Sequence, residues 1–355
     1  MKRNLPASAL VLPRAALLRR GALVLSLAAL TALTAFSPAA QAQSTLLNVS
    51  YDVMRDFYKD LNPAFQKHWK ARSGQDVTIQ MSHGGSSRQA RAVVEGLEAD
   101  VITMNQHNDI DLLAQRGGLV PADWAKRLPD NSAPFTSATV FIVRKGNPKG
   151  IKDWPDLVKD GVQVIVPNPK TSGNGRYTYL NAWAFAQRQP GGSAATAEQF
   201  VTRLFRNVPV LDTGGRGATS TFIQRNIGDV LVTFENEAEL IAREFGRGSF
   251  EVVYPSLTFL VEPPVSWVDK VVDKKGTRNV AQAYLEFLYS AEGQEIAAQN
   301  YLRPRNADVL RKYAAQFPPL RTVGIDFFGG WQQAQKTHFD DGGIFDRVIA
   351  AAGKK

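Results

Sequence analysis

Between residues 46 and 104 the sequence alternates short apolar segments with amphipathic ones, and this order leaves few possible folds. Residues 46–51, 77–81 and 100–104 have the apolar, β-branched composition of strands. Between them, residues 57–69 and 90–97 repeat apolar side chains at the spacing of a helix. The order β-α-β-α-β is typical of an open sheet with helices on its faces, so the sequence predicts an α/β fold.

A second run of strand-like and helix-like segments indicates a second lobe. Residues 139–143, 162–166 and 229–234 read as strands, and residues 177–186 read as a helix. We place the crossing between lobes at the first of these strands and the return near residue 236. The predicted organisation is a signal peptide at 1–42, a first lobe at 43–137, a second lobe at 138–236, and the rest of the first lobe with C-terminal helices at 237–355.

Residues 1–42 have the composition of a secretory signal peptide. Basic residues from Lys2 to Arg20 precede an apolar run at 22–36, and small residues follow up to Ala42. The apolar run is short for a membrane span, and the sequence contains no second run of this kind. We therefore expect export to the periplasm, with cleavage after Ala42.

The charge of the chain beyond residue 42 is nearly balanced. Five of the 42 Lys and Arg residues and none of the 33 Asp and Glu residues lie in residues 1–42, so the remainder carries a net charge of +4. No basic run is interleaved with aromatic residues, so we expect no nucleic acid partner. The sequence has no cysteine and no histidines at metal-binding spacing, so we expect no metal and no cofactor.

Three turns rich in glycine and hydroxyl side chains, at 84–87, 171–175 and 213–219, each lie between a predicted strand and a predicted helix. The first backbone N–H groups of a helix have no partner inside it, and the positive end of the helix dipole lies there. Each turn alone is also an ordinary strand–helix connection. Together they predict a site for a small anion at the strand ends of an open sheet. None has the spacing of a dinucleotide or nucleotide-phosphate motif.

Several charged and polar side chains lie beside these turns. Ser86 and Gln89 fit a capping box at the start of a helix. His83 is interpreted as an orienting side chain rather than a base. Arg176 and Arg216 follow their glycine turns, and we expect them to brace the loops by hydrogen-bonding loop carbonyls rather than to bind the anion.

Nothing in the sequence predicts an enzyme. The carboxylates at Asp109 and Asp111, and at residues 235, 237 and 239, are interpreted as solvated faces rather than an acid–base pair. No GxSxG motif is present, and no nucleophile is paired with a base. We therefore expect no catalytic residues.

Five segments, at 47–52, 82–86, 168–173, 212–217 and 328–331, resemble the periplasmic sulfate/thiosulfate-binding proteins, which are the receptors of ABC importers for sulfur oxyanions. The likeness extends over essentially the whole chain beyond the signal peptide. It implies a two-lobed periplasmic binding protein of type II, with each lobe an open sheet flanked by helices and the ligand in the cleft between lobes. It also implies a membrane permease as partner, and we expect a monomer.

The resemblance further implies a dehydrated dianion held almost entirely by uncharged donors. Transferred to this sequence, the donors are the hydroxyl of Ser172 and the backbone N–H groups of Asp52, Ser86, Gly173, Asn174 and Gly215. The neighbouring positions that the resemblance marks are His83, Arg176, Arg216 and Phe234.

One position departs from the sulfate-binding members. They carry a Trp indole donor where this chain has Phe234, and a phenyl ring has no donor. The segments at 52–53, 105–106, 171–174 and 218–219 also look like the thiosulfate branch. We therefore expect thiosulfate as the preferred ligand, with sulfate also bound. The alternatives are another tetrahedral oxyanion, such as molybdate or phosphate, and a periplasmic sulfate or phosphate ester hydrolase.

Overall fold

The computed structural model describes residues 44–246 and 248–354 of the 355-residue chain. The predicted signal peptide, at residues 1–42, lies outside the described residues. The described part of the chain forms two separate sheets, each with helices packed on it. The prediction of an α/β fold is therefore confirmed.

Strands β1 to β12 form the two sheets. In chain order they are β1 Ser44–Tyr51, β2 Val77–Gly84, β3 Val101–Thr103, β4 Phe135–Arg144, β5 Val164–Pro167, β6 Leu211–Asp212, β7 Val230–Phe234, β8 Phe250–Val253, β9 Thr258–Val261, β10 Val265–Trp267, β11 Arg303–Pro304 and β12 Thr322–Val323. One sheet has the order β10-β3-β1-β2. The other has the order β12-β9-β4-β7-β5-β6, with β8 and β11 also paired to β4.

The helices alternate with the strands through most of the chain. They are α1 Arg55–Ser73, α2 Ser86–Val94, α3 His107–Gly117, α4 Pro129–Ser132, α5 Gly173–Gln187, α6 Ala194–Arg206, α7 Gly215–Ile223, α8 Glu235–Phe245, α9 Asp269–Lys275, α10 Arg278–Phe287, α11 Ala291–Gln299, α12 Ala307–Lys312, α13 Trp331–Ala334 and α14 Ile344–Ala351. Short 3-10 segments lie at Asp52–Met54, Trp124–Arg127, Trp154–Val158 and Ile325–Phe328, and a π-helical turn lies at Gln335–Phe339.

The strand directions bring the predicted turns to common edges. β1 is parallel to β2 and β3, and the register pairs Tyr51 with Gly84 at the ends of β1 and β2. β5 is parallel to β6 and β7, and the register pairs Pro167 with Asp212. The turns that follow these residues therefore leave each sheet at the carboxyl ends of its strands, which is where open α/β sheets bind ligands.

Helix α5 is buried around its whole circumference. Every residue from Gly173 to Ala186 is buried, including the aromatic residues Tyr177, Tyr179 and Trp183. A helix that is buried on all sides lies within the core rather than on the surface. The position of its N-terminus is therefore fixed by packing along its full length.

The segment after residue 237 contributes to both sheets. β8 and β9 pair with β4 in the larger sheet, whereas β10 pairs with β3 in the smaller one. β4 itself begins at Phe135, three residues before the predicted crossing at 138. The lobe boundaries stay a prediction, because sheet pairing does not by itself define where a lobe ends.

Candidate functional site

The three predicted turns meet at Gly85. A Cβ atom built on Gly85 would lie 2.8 Å from the carbonyl oxygen of Thr171 and 2.9 Å from that of Thr213. Gly85 follows the smaller sheet, whereas Thr171 and Thr213 belong to turns of the larger sheet. The absence of a side chain at Gly85 is what lets turns from both sheets come into contact.

Further close approaches join the same turns to Asp52. A Cβ atom on Gly214 would lie 2.5 Å from Asp52 Oδ2. A Cβ atom on Gly215 would lie 3.4 Å from Asn174 Nδ2 and 3.7 Å from Asp52 Oδ1. The structure thus brings Asp52, Asn174 and Gly215 together, although they are far apart in the sequence.

Three helices begin at this junction without a capping side chain. α2, α5 and α7 follow the N-cap residues Gly85, Ser172 and Gly214, and none of these makes a side-chain cap hydrogen bond. The N–H groups of the first helical turn therefore have no acceptor from inside the helix or from the cap. With the positive ends of three helix dipoles at one place, the junction favours a negative charge.

The predicted capping box at Ser86 is wrong. The N-cap of α2 is Gly85, and Ser86 is already the first helical residue. Its hydroxyl donates to Asp109 Oδ2 at 2.5 Å, and Gln89 Nε2 donates to Ser82 Oγ at 3.0 Å. Because the Ser86 hydroxyl donates to Asp109 and accepts from the N–H of Asn105, only the backbone N–H of Ser86 remains for a ligand.

Ser172 and Asn174 differ in what their side chains leave open. Ser172 is buried, and within residues 44–246 and 248–354 its hydroxyl makes no hydrogen bond. Asn174 Nδ2 donates to Thr233 Oγ1 at 3.0 Å at the end of β7. Ser172 can therefore offer a hydroxyl to a ligand, whereas Asn174 can offer its backbone N–H.

The carboxylate of Asp52 lies at the start of α7. The N–H of Arg216 donates to Asp52 Oδ2 at 3.1 Å. Burial raises the pKa of Asp52 above its ordinary value, and backbone N–H groups of Arg216, Asp52 and Val53 oppose that rise. The backbone N–H of Asp52, which the family resemblance marks as a ligand donor, thus lies within reach of the carboxylate of the same residue.

The two arginines behind the turns are held by protein groups. Arg176 is buried, and its Nε donates to the carbonyl of Pro169 at 2.8 Å. Arg216 instead pairs with carboxylates, at 3.2 Å from Glu237 and 3.8 Å from Asp56. The expectation that Arg216 hydrogen-bonds loop carbonyls is therefore wrong, because its partners are carboxylates.

The interpretation of the carboxylates as solvated faces is also wrong at three positions. Glu235, Glu237 and Asp109 are buried. Glu235 accepts two hydrogen bonds from Arg303, at 2.7 and 2.8 Å. Glu237 accepts from the Thr219 hydroxyl at 2.8 Å, and burial raises its pKa to about 7. The prediction failed at residues 235 and 237 because α8 begins directly after a central strand, so its first turn lies inside the protein.

His83 and Phe234 occupy the ends of two strands. His83 pairs with Ser50 in the sheet register, and burial, with Arg55 nearby, lowers its pKa to about 4. It is therefore uncharged at neutral pH. Phe234 ends β7, and its buried ring packs edge-on against Tyr177 with 5.7 Å between ring centroids.

Asn105 also lies at this junction; the segment at 105–106 resembles the thiosulfate branch, but no binding role was expected for Asn105. Its backbone N–H donates to Ser86 Oγ at 3.1 Å, and its carbonyl accepts from the Tyr177 hydroxyl at 2.7 Å. A Cβ atom on Gly173 would lie 1.8 Å from Asn105 Oδ1. Its position after β3 was the available signal, because that strand end faces the same edge as the turns.

A family model for bacterial extracellular solute-binding proteins matches residues 46–303. The chain belongs to this family. Within it, this solute-binding protein is 68% identical over 317 residues to the thiosulfate-binding protein of Pseudomonas aeruginosa, with 89% of this chain and 95% of the relative covered. It is 56% identical over 304 residues to the sulfate-binding protein of Escherichia coli, with 85% and 92% covered.

A solved structure supports the same placement. The sulfate-binding protein SubI from Mycobacterium tuberculosis H37Rv superposes with a TM-score of 0.76 at 32% identity, covering 84% of this chain and all of that one. The resemblance to sulfate/thiosulfate-binding proteins and the two-lobed fold of the solute-binding proteins are thereby confirmed.

The described residues also bear on whether the chain has a metal site or a membrane span. Among them, no group of three or more His, Cys, Asp or Glu side chains is placed to hold a metal ion. Across the same part of the solute-binding protein, no helix is both long and apolar enough to cross a membrane.

Proposed function

We propose that the protein is a receptor for sulfate and thiosulfate, which it binds where α2, α5 and α7 begin. The observation that carries this proposal is the meeting at Gly85 of three helix N-termini whose N-cap residues make no side-chain cap hydrogen bond. A dianion at this place would accept hydrogen bonds from the first-turn N–H groups and from the Ser172 hydroxyl. The names of the relatives, for thiosulfate and for sulfate, agree with this ligand class.

The donors proposed for the anion are uncharged. They are the backbone N–H groups of Asp52, Ser86, Gly173, Asn174 and Gly215, with the hydroxyl of Ser172. Arg176 and Arg216 hold positive charge near the turns but are bonded to the Pro169 carbonyl and to carboxylates. Their role in the proposal is to support the loops and leave the anion to the peptide groups.

A site made of donors favours a fully deprotonated ligand. Sulfate and thiosulfate carry no proton at neutral pH, so every oxygen can accept. Hydrogen phosphate would present a proton to a donor, and a buried donor without an acceptor costs about 1–3 kcal/mol. The Asp52 carboxylate already accepts the N–H of Arg216. We therefore propose that phosphate binds more weakly than either sulfur oxyanion.

Phe234 supports a preference for thiosulfate. Its ring is buried beside Tyr177 and offers no hydrogen bond donor. The terminal sulfur of thiosulfate is larger and softer than an oxygen and loses less when it faces an apolar ring. Sulfate would leave one oxygen short of a donor, and a missing bond to a charged group costs about 1.5–3 kcal/mol.

Binding without catalysis is the function that we infer. Hydrolysis of an ester would require a nucleophile beside a base or a bound metal. In the described parts of the chain, the Ser172 hydroxyl has no hydrogen bond to a histidine or a carboxylate. An aryl sulfate is therefore expected to show no turnover above the buffer rate.

The cellular setting belongs to the same proposal. Residues 1–42 would direct export, be cleaved after Ala42, and leave a monomeric receptor in the periplasm that delivers its anion to an ABC permease. Mass spectrometry of the exported protein should find Gln43 as the N-terminal residue. A retained leader, or a dimer in sedimentation, would contradict these parts of the proposal.

Calorimetric titration of the refolded protein tests the proposed ligand class. Refolding removes any anion carried through purification. Thiosulfate and sulfate should both bind with a stoichiometry near one, thiosulfate more tightly, whereas phosphate should bind more weakly. Tighter binding of phosphate or molybdate than of both sulfur anions would refute the proposal.

A further inference from the structure

Asn105 is held at the junction by its backbone on two sides. Its N–H donates to Ser86 Oγ at the start of α2, and its carbonyl accepts from Tyr177, which lies in the first turns of α5. Its side chain lies against Gly173, the first residue of α5. Asn105 thus lies between the N-termini of two of the helices that would surround the anion.

The side-chain amide of Asn105 has no hydrogen bond to any residue in the described part of the chain. The residue is only 2% exposed, and its Oδ1 is fully enclosed without a partner. Leaving a buried amide unbonded is unfavourable, and buried polar groups in proteins almost always have partners. The unused amide therefore indicates a ligand group beside it.

Neighbouring amides are already bonded. Gln106 Nε2 donates to Ser87 Oγ and to Asp109 Oδ2, both at 3.1 Å. Asn174 Nδ2 donates to Thr233 Oγ1 at 3.0 Å. Neither can turn its NH₂ group to a ligand without breaking a bond, whereas Asn105 can.

We propose that the Asn105 side chain donates a hydrogen bond from Nδ2 to the bound oxyanion, at the start of α5 rather than at Phe234. This inference rests on the proposed function, since it takes the same anion at the same turns. A rotation of the amide about its last side-chain bond exchanges Oδ1 and Nδ2, so that either atom can face the ligand. A dianion only accepts hydrogen bonds, so it selects the orientation with Nδ2 towards it.

The same contact explains why residue 173 is glycine. A Cβ atom there would lie 1.8 Å from Asn105 Oδ1 and 2.5 Å from Nδ2. No side chain fits between the amide and the helix start. Glycine at this position therefore lets the Asn105 amide lie directly beside the first-turn N–H groups of α5.

Two substitutions of opposite character test the proposal. Asn105→Ala removes the amide, whereas Asn105→Asp keeps the shape but replaces the donor with a carboxylate that can only accept. Asn108→Ala is the matched control, because Asn108 lies on the same segment and its amide donates to Gln335 at 3.1 Å. Thiosulfate and sulfate affinities are measured by calorimetry, and thermal unfolding without ligand is measured in parallel.

We expect Asn105→Ala to raise Kd for both anions by about ten- to a hundredfold, which is the usual effect of losing a hydrogen bond to a charged group. Asn105→Asp should weaken them more, because a carboxylate repels a dianion. The control should remain within about twofold of the parent protein. A residue that served only for packing would give the reverse order, with a larger loss of affinity for Asn105→Ala than for Asn105→Asp.

The outcomes separate this inference from the proposed function. Failure of the unsubstituted protein to bind either anion overturns the proposed function itself. Normal binding by the unsubstituted protein together with undiminished binding by Asn105→Ala overturns only the role of Asn105. A larger loss for Ala than for Asp, or a loss matched by a drop in the ligand-free unfolding temperature, also overturns it.

Discussion

Replacing Gly85 by alanine tests whether turns from the two sheets close on one another. The backbone of Gly85 has φ −59° and ψ 132°, which any residue can adopt, so alanine introduces no backbone strain. Its methyl group would meet two backbone carbonyl oxygens, at 2.8 and 2.9 Å. Each carbonyl must withdraw by about half an ångström to restore an ordinary carbon–oxygen contact.

Overpacking of this kind costs about 1–3 kcal/mol. We infer that a bound anion holds the turn at Gly85 against the turns at Thr171 and Thr213, so the penalty from the clash falls on the anion-bound arrangement. We expect Kd for thiosulfate to rise by roughly five- to 150-fold. The ligand-free unfolding temperature should change little, because neither sheet is altered.

Calorimetry gives Kd, and thermal unfolding without anion gives the stability of the fold. Gly324→Ala is the matched control, since a Cβ atom on Gly324 has no heavy atom within 4 Å and φ is −100°. Equal affinities for Gly85→Ala and the parent protein would refute the idea that the anion closes these turns. Equal losses in stability and in binding would place the clash in the fold rather than in the closed state.

Three further predictions follow from single residues. Ser172→Ala should weaken the binding of both sulfur anions by about 1.5–3 kcal/mol in calorimetry. The unfolding temperature should not change, because the Ser172 hydroxyl makes no hydrogen bond within the described chain. Unchanged affinity would remove Ser172 from the site. Phe234→Trp should raise the affinity for sulfate relative to thiosulfate in competition titrations, and a constant ratio would mean that Phe234 does not face the ligand. Burial raises the pKa of Glu237 from 4.5 to about 7. Between these pH values the native state therefore holds a proton on Glu237 that the unfolded state has lost. The free energy of unfolding should therefore fall by on the order of 2 kcal/mol as pH rises through that window. Denaturant unfolding at pH 5 and 7.5 should show a smaller pH dependence for Glu237→Gln. The same pH dependence in both proteins would contradict the assignment.

The alternation of strands and helices was readable from the sequence because each segment has its own periodicity. Apolar residues at 46–51 and 77–81 predicted strands that the structure shows as β1 and β2. Glycine and hydroxyl residues at the strand ends marked the turns, and the structure brings those turns together. Local chemistry specifies such elements, so sequence alone suffices to find them.

Contacts between segments that are distant in the sequence could not be predicted from local sequence patterns. Whether Glu237 is solvated depends on which sheet covers the first turn of α8, and no window around residue 237 contains that information. The partners of Arg216 lie on other helices, at Asp56 and Glu237. The contact of Asn105 with Gly173 spans two sheets, so only the assembled chain reveals it.

A crystal structure of the refolded protein with thiosulfate would show directly whether neutral donors at the three helix starts hold the anion. We expect the anion at the start of α2, α5 and α7, with its oxygens bonded to backbone N–H groups, the Ser172 hydroxyl and the Asn105 amide. Its terminal sulfur should face Phe234. An anion held chiefly by Arg176, Arg216 or lysine side chains, or bound away from these helix starts, would contradict it.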